Sequence, residues 1–305
     1  MAVQTRAIRR RIKSVTNTRK ITKAMELVAA SKMRKAMQSV LGTRPYAKLA
    51  WNTVVSIGSK IDTSLHPLLK ESKEVKRVLL LVISSDRGLA GGFNTNILRK
   101  TFEEIRQLGE GVDVQTICVG KRASDAMRRA DKKILASFTG ITNSTQFEEV
   151  LPIGRMIIDE FTQGNFEKVL VAYTDFVSAL TQQPLVLELL PLGSPEQTAE
   201  LGTLRGAEEE VYDAQDFSDL LFEPSPKEVL DRILPRLVET IIYQAVLESA
   251  ASEHSARMMA MRSASDAAKD MLGDLTFTYN QARQAGITQE IAEISSGAAA
   301  LEIRE

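Results

Sequence analysis

The chain has 305 residues, 44% of them hydrophobic and only 5% aromatic, and its Lys and Arg balance its Asp and Glu at 39 each. A single cysteine, Cys118, excludes an internal disulfide and fits as buried filler in the run VQTICVG, while the longest strongly apolar stretch, Val78 to Ile83, is far too short to span a bilayer. The opening residues MAVQTRAIRRRIKSV are charged and lack the apolar core of a secretory signal.

Zero net charge hides an asymmetry. Residues 1–48 carry thirteen Lys or Arg against one acid, Glu26, for +12; residues 49–226 carry about −8, and residues 227–305, with eight basic and twelve acidic side chains, −4. The two ends therefore attract each other, and positive charge is left over on the first.

Residues 3–57 hold one proline, Pro45, and would span roughly 80 Å as a helix. Ile8, Ile12 and Val15, then Ile21, Met25 and Val28, follow helical spacing, interrupted by Thr22, Lys32 and Arg34. So thin a stripe suits a two-helix seam, with a bend expected at Pro45.

The middle of the chain alternates apolar runs with helical segments. RVLLLVI, DVQTICV, KILASF, KVLVAYTDF and PLVLELLPL read as strands, the last two as an antiparallel hairpin. FNTNILRKTFEEIRQL and KRASDAMRRA read as helices, and TQFEEVLPIGRMIIDEFTQG as one broken or kinked near Pro152. This pattern predicts an α/β sheet covered by helices. Residues 193–214 are polar, acidic and turn-rich, as in a linker.

From Lys227 to Ala300, 74 residues contain one proline, Pro235, and would form a helix about 110 Å long. Its middle, AASEHSARMMAMRSASDAAKDML, is rich in small residues that let two helices approach closely. At its end Ile287, Ile291, Ile294, Ala298 and Leu301 recur at intervals of four, three, four and three. The N-terminal helix is about 19 residues too short to cover them, so another protein is expected to hold that stripe. The expected organisation is a shaft built from residues 1–60 and 227–305, a hub from 61–192 and a linker and foot from 193–226, with the ends adding little to the hub's core.

Few residues read as chemistry. The loop Ser84 to Asn94, SSDRGLAGGFN, sits where phosphate loops occur but lacks a GK[ST] lysine and GxGxxG spacing, so it reads as a tight turn paired or capped by Asp86 and Arg87. His66 and His254 stand alone, without the carboxylate or thiol cluster of a metal site. No nucleophile elbow or HExxH is present, and catalysis by this chain is not expected. The basic N-terminal helix spreads its charge around all faces, which favours an acidic protein surface over a nucleic-acid groove.

Three blocks, IKSVTNTRKITKAMELVAASKMRKA (12–36), SSDRGLAGGFN (84–94) and IYQAVLESAASEHSARMMAMRSASDAAKD with LTFTYNQARQAGITQEIAEISSGAAAL (242–301), resemble the gamma subunit of the F-type, rotary ATP synthase. The resemblance covers essentially the whole chain. It implies an antiparallel coiled coil of the two terminal helices turning inside a ring of three alpha and three beta subunits, with a Rossmann-like α/β domain outside it. By the same resemblance Met25 approaches an acidic loop of beta, with Lys20, Lys23, Arg34 and Lys35 supplying charge. Arg257, Arg283, Gln284 and Thr288 match a polar catch, Ile287, Ile291, Ile294 and Leu301 an apolar bearing, and Glu223 a foot position near the epsilon subunit and the c-ring. The implied function is a central rotor that couples the c-ring to ATP synthesis or hydrolysis. ATP or ADP and Mg2+ are then expected on alpha and beta, with no cofactor on this chain, no nucleic acid and no membrane insertion. The expected location is the cytoplasmic face of a bacterial plasma membrane. Ala90 departs from the cysteine of many relatives, SASDAA (263–268) from an asparagine-containing block, and the chloroplast regulatory cysteines are absent. The competing reading is a non-rotating coiled-coil adaptor.

Overall fold

The computed structural model of the protein describes residues 2–58, 66–70, 72, 74–109, 111–144, 146–192 and 225–302. Glu223 and the expected linker lie outside the described residues, as does the side chain of Leu301. Two long helices, α1 (Ala2–Gly58) and α6 (Pro226–Glu302), flank an α/β region, and each continues through its one interior proline, Pro45 or Pro235. By packing, the chain divides into one unit of residues 30–257 and a second made of residues 1–29 and 258–305.

In the larger unit, β1 (Arg77–Ile83), β2 (Asp113–Val119), β3 (Lys133–Phe138), β4 (Lys168–Phe176) and β5 (Gln182–Leu190) form one sheet in the order β3-β2-β1-β4-β5. The first four are parallel, and β5 returns antiparallel to β4 as the hairpin pattern predicts. Between them lie α2 (Phe93–Gln107), α3 (Lys121–Arg129), the short α4 (Ile141–Ser144) and α5 (Phe147–Thr162). Pro152 does not break α5. As the sixth residue of the helix it gives up the one main-chain bond that an N–H there would make to the Glu148 carbonyl.

Strand β1 shows why its run is continuously apolar: both of its faces are covered. Val78, Leu80 and Val82 pack with Ile97 of α2 and Met127 of α3, while Leu79, Leu81 and Ile83 pack with Ile153 and Ile157 of α5. The second layer also contains Leu230, Leu234, Val238, Ile242 and Val246 of α6. The expectation that the ends add little to the core is therefore corrected. The first eight turns or so of α6 are one wall of it, because their Leu, Ile and Val are too numerous for a two-helix seam.

Within this unit α1 and α6 run antiparallel. Ala36 packs on Ala250 and Ala251, and seven residues further along α1 the Thr43 hydroxyl donates to Gln244 Oε1 at 2.6 Å. The small side chains predicted to allow close approach do so here.

In the smaller unit the half-buried and buried positions of α1 include Ile8, Ile12, Val15, Thr22, Glu26 and Ala29, and those of α6 include Met261, Ser265, Ala268, Leu272, Leu275, Tyr279, Ala282 and Gly286. Both series step by three and four or by seven, the 3.5-residue period of a coiled-coil seam. The stripe read from sequence therefore loses its register after Val15: Thr22 lies in the seam, and Ile21 and Val28 point outward at 61% and 58% exposure.

Gly120 joins β2 to α3 at φ +90°, and a Cβ there would lie 2.2 Å from the Ser84 carbonyl oxygen. Gly120→Ala is expected to cost roughly 3 kcal/mol through backbone strain and overpacking, read as a lower urea midpoint by circular dichroism.

Candidate functional site

At the carboxyl ends of the parallel strands, where α/β folds hold ligands, the chain places its own side chains. Asp86 Oδ1 accepts from Lys121 N at 3.1 Å and Oδ2 from Gly140 N at 2.9 Å, so a carboxylate already occupies the first turn of α3. Ser84 Oγ accepts from Ala123 N at 2.8 Å, and Ser85 exchanges hydrogen bonds with Asn94. The loop is a plug, as the turn reading expects, with Asp86 acting as a cap and not as a partner of Arg87.

The plug is tied to α6. Arg257 Nη2 donates to the carbonyls of Arg87 and Gly88, each at 3.3 Å, and Nη1 pairs with Glu253 Oε1 at 2.6 Å. Glu253 and His254 are each 3% exposed. Burial, only partly opposed by Arg257, raises the Glu253 carboxyl above its ordinary range. Burial, helped by the cations Arg257 and Lys32, lowers His254 to about 4. Burial also raises the Cys118 thiol, which is consistent with its role as filler. His66 caps the 3-10 turn Pro67–Leu69 through Nδ1 and lies 3.4 Å from Asp231. Among the described residues no group of three or more side chains could hold a metal ion.

The other candidates lie on the outer faces of the helices. Lys20, Arg34 and Lys35 are exposed, Met25 is half-buried, and Lys23 pairs with Glu26 at 2.9 Å. Arg6, Arg9, Arg10 and Lys13 line an open depression together with Ile12. Arg283, Gln284 and Thr288 are exposed, the Thr288 hydroxyl donating to the Gln284 carbonyl at 3.0 Å. Ile287, Ile291 and Ile294 are exposed at 48%, 62% and 73%. That stripe starts one residue past the last seam position, Gly286, and a one-residue step turns a helix by about 100°, so it is a separate face.

Arg257 is thus brought into the plug, while Lys20, Lys23, Arg34, Lys35, Arg283, Gln284, Ile287, Thr288, Ile291 and Ile294 are exposed. Sequence reasoning missed Leu27, Met271 and Phe277, which are 61%, 51% and 71% exposed. Extending the Ile8, Ile12, Val15 heptad would have placed Ile21, Leu27 and Val28 outside it.

A family profile described as ATP synthase matches residues 4–301. The chain belongs to the ATP synthase gamma family. It is 42% identical to the ATP synthase gamma chain of Cupriavidus necator over 300 residues, which is 97% of this chain and 99% of the relative. It is 43% identical over 297 residues to that of Xanthomonas oryzae pv. oryzae, again 97% and 99% of the two chains. Among solved structures, the central stalk and c-ring of Tetrahymena thermophila mitochondrial ATP synthase contains a chain similar at TM-score 0.58 and 25% identity, covering 80% of this chain and 99% of that one. A chain of the Euglena gracilis mitochondrial enzyme shares the fold at TM-score 0.66 and 19% identity, covering 99% and 95%.

The buried pair contributes to the pH dependence of this gamma-family chain. His254 is harder to protonate folded than unfolded, so as pH falls from about 6.5 towards 4 the unfolded state takes up the proton and stability declines, by up to about 3 kcal/mol in total. Glu253, raised by burial, acts in the opposite sense. His254→Gln is therefore the informative comparison: relative to wild type it is expected to gain stability progressively below pH 6.5, measured by denaturant titration at each pH.

Proposed function

We propose that the chain is the central rotor shaft of an F-type ATP synthase and that its outer helical face is the surface on which the catalytic ring turns. The observation that carries this reading is apolar surface left outside the seam. The seam takes in Ile8, Ile12, Val15, Leu272 and Leu275 together with Thr22, Ala29, Ser265 and Ala268, while Ile21, Leu27, Val28, Phe277, Ile291 and Ile294 face outward. Apolar area on this scale points to a surrounding protein. The gamma-chain relatives and the central-stalk neighbour support the same assignment.

The finer reading follows. The sleeve is a hexamer of three alpha and three beta subunits, and the hub docks on the epsilon subunit and the c-ring, with Glu223 at the foot. Nucleotide and Mg2+ belong to the ring subunits, this chain is not itself catalytic, and the complex sits on the cytoplasmic face of a bacterial plasma membrane. Lys20, Lys23, Met25, Arg34 and Lys35 meet an acidic beta loop. Arg283, Gln284 and Thr288 form a breakable polar contact, and Ile287, Ile291, Ile294 and Leu301 a bearing. For Arg257 the proposed coupling role acts through the loop it holds.

Three identical catalytic subunits would stay identical unless something asymmetric touched them. A two-helix shaft presents a different face to each and so favours a different conformation in each. Because such coupling is reciprocal in binding free energy, nucleotide hydrolysis in the ring turns the same shaft backwards. Charged contacts on the shaft suit this sliding, since exposed ion pairs are individually weak and readily exchanged.

A reversible disulfide between Ile294→Cys and a cysteine introduced into the ring is expected to abolish steady-state ATP turnover at least tenfold and to release it on reduction. Unchanged turnover in the locked complex would favour the fixed adaptor.

A further inference from the structure

Strand β4 outruns its neighbour. β1 pairs with it only as far as Ala172, whereas β5 stays paired to Phe176, so one side of Thr174 has no strand to bond. Both backbone groups of Thr174 are buried and need partners.

Helix α6 provides them. Thr174 N donates to Ser249 Oγ at 3.1 Å, and the Thr174 carbonyl accepts from Ser252 Oγ at 3.2 Å. One turn further, Ser255 Oγ donates to the Ala179 carbonyl, between β4 and β5, at 2.7 Å. All three serines are 0% exposed and lie three residues apart on one helical face. Serine in a helix interior ordinarily bonds back to its own helix. Here the hydroxyls point across to the sheet, and the helix stands in for a missing strand.

Apolar packing is non-directional and sets no angle for a helix about its own axis. Hydrogen bonds to fixed backbone groups do. We propose that Ser249, Ser252 and Ser255 are positioning residues that key α6 to the sheet, so that torque applied to the hub enters the helix without the helix turning against it. Arg257, two residues beyond Ser255, adds a second grip on the plug loop. This role rests on the rotor function given above.

The test uses the complete complex, with the far end of α6 locked to the ring through Ile294→Cys and a bead attached to the hub. The angular variance of the bead then reports torsional compliance, which a merely stabilising contact would leave unchanged. Ser249→Ala combined with Ser252→Ala is expected to widen the variance at least twofold and to lower the thermal midpoint, since both Thr174 backbone groups lose their partners, and Ser255→Ala to widen the variance less. An unchanged variance in the double variant would overturn the proposal. Should that variant fail to assemble, Ser249→Ala alone decides: the Thr174 amide is expected to exchange with solvent at least tenfold faster than in wild type, and an unaltered rate would overturn the assignment. A wild-type complex whose bead never rotates under ATP before locking would instead refute the rotor function.

Discussion

One helix, α6, is shared between two kinds of packing, and the rest of the structure depends on that division. Up to Arg257 it is a wall of the α/β core, with Leu234, Val238, Ile242 and Val246 against the sheet layer and Ser249, Ser252 and Ser255 bonded to its backbone. From Met258 on it belongs to the smaller unit, whose seam is narrow and leaves Ile21, Leu27, Val28, Phe277, Ile291 and Ile294 exposed. The backbone runs through both parts as one continuous helix.

The same division explains why this α/β unit does not read as a nucleotide site. In folds that bind phosphate, the helix N-terminus beyond a strand is left open to an anion. Here Asp86 fills that place from within, Ser84 accepts from the Ala123 amide two residues on, and Gly120 lets β2 and α3 close tightly over both. A second negative group at the same amides would face an existing carboxylate. The crevice has become a joint between strands, loop and long helix.

Much of the fold was legible because its signals are local. Each strand is a short apolar run between turn residues, and the antiparallel return of β5 follows from the short connection after Phe176. The outward stripe Ile287, Ile291 and Ile294 was legible from spacing together with the length of α1. The seam register was not, because Ile21 and Val28 are more hydrophobic than Thr22 and Ala29, and hydrophobicity alone puts the larger residues inside. A helix that will be enclosed by other chains reverses that preference. The sheet-facing serines were hidden for a different reason: their role depends on Thr174 lying past the end of the β1–β4 pairing, about 75 residues before Ser249, which no local pattern encodes. Arg257 illustrates the same limit. Family resemblance places it among ring-coupling positions, and the fold turns its guanidinium inward onto the Arg87 and Gly88 carbonyls.

The central claim is that the exposed apolar side chains of the helix pair are covered by surrounding subunits. Its most direct measurement is the rate of thiol labelling at single cysteines replacing Ile21, Phe277 and Ile294, compared between the isolated chain and the assembled complex. The account predicts rapid labelling in the isolated chain and protection of at least tenfold on assembly, with Leu180→Cys, on the hub at 76% exposure in the native side chain, as an outward-facing reference. Equal labelling of the three helix positions in both states would contradict it.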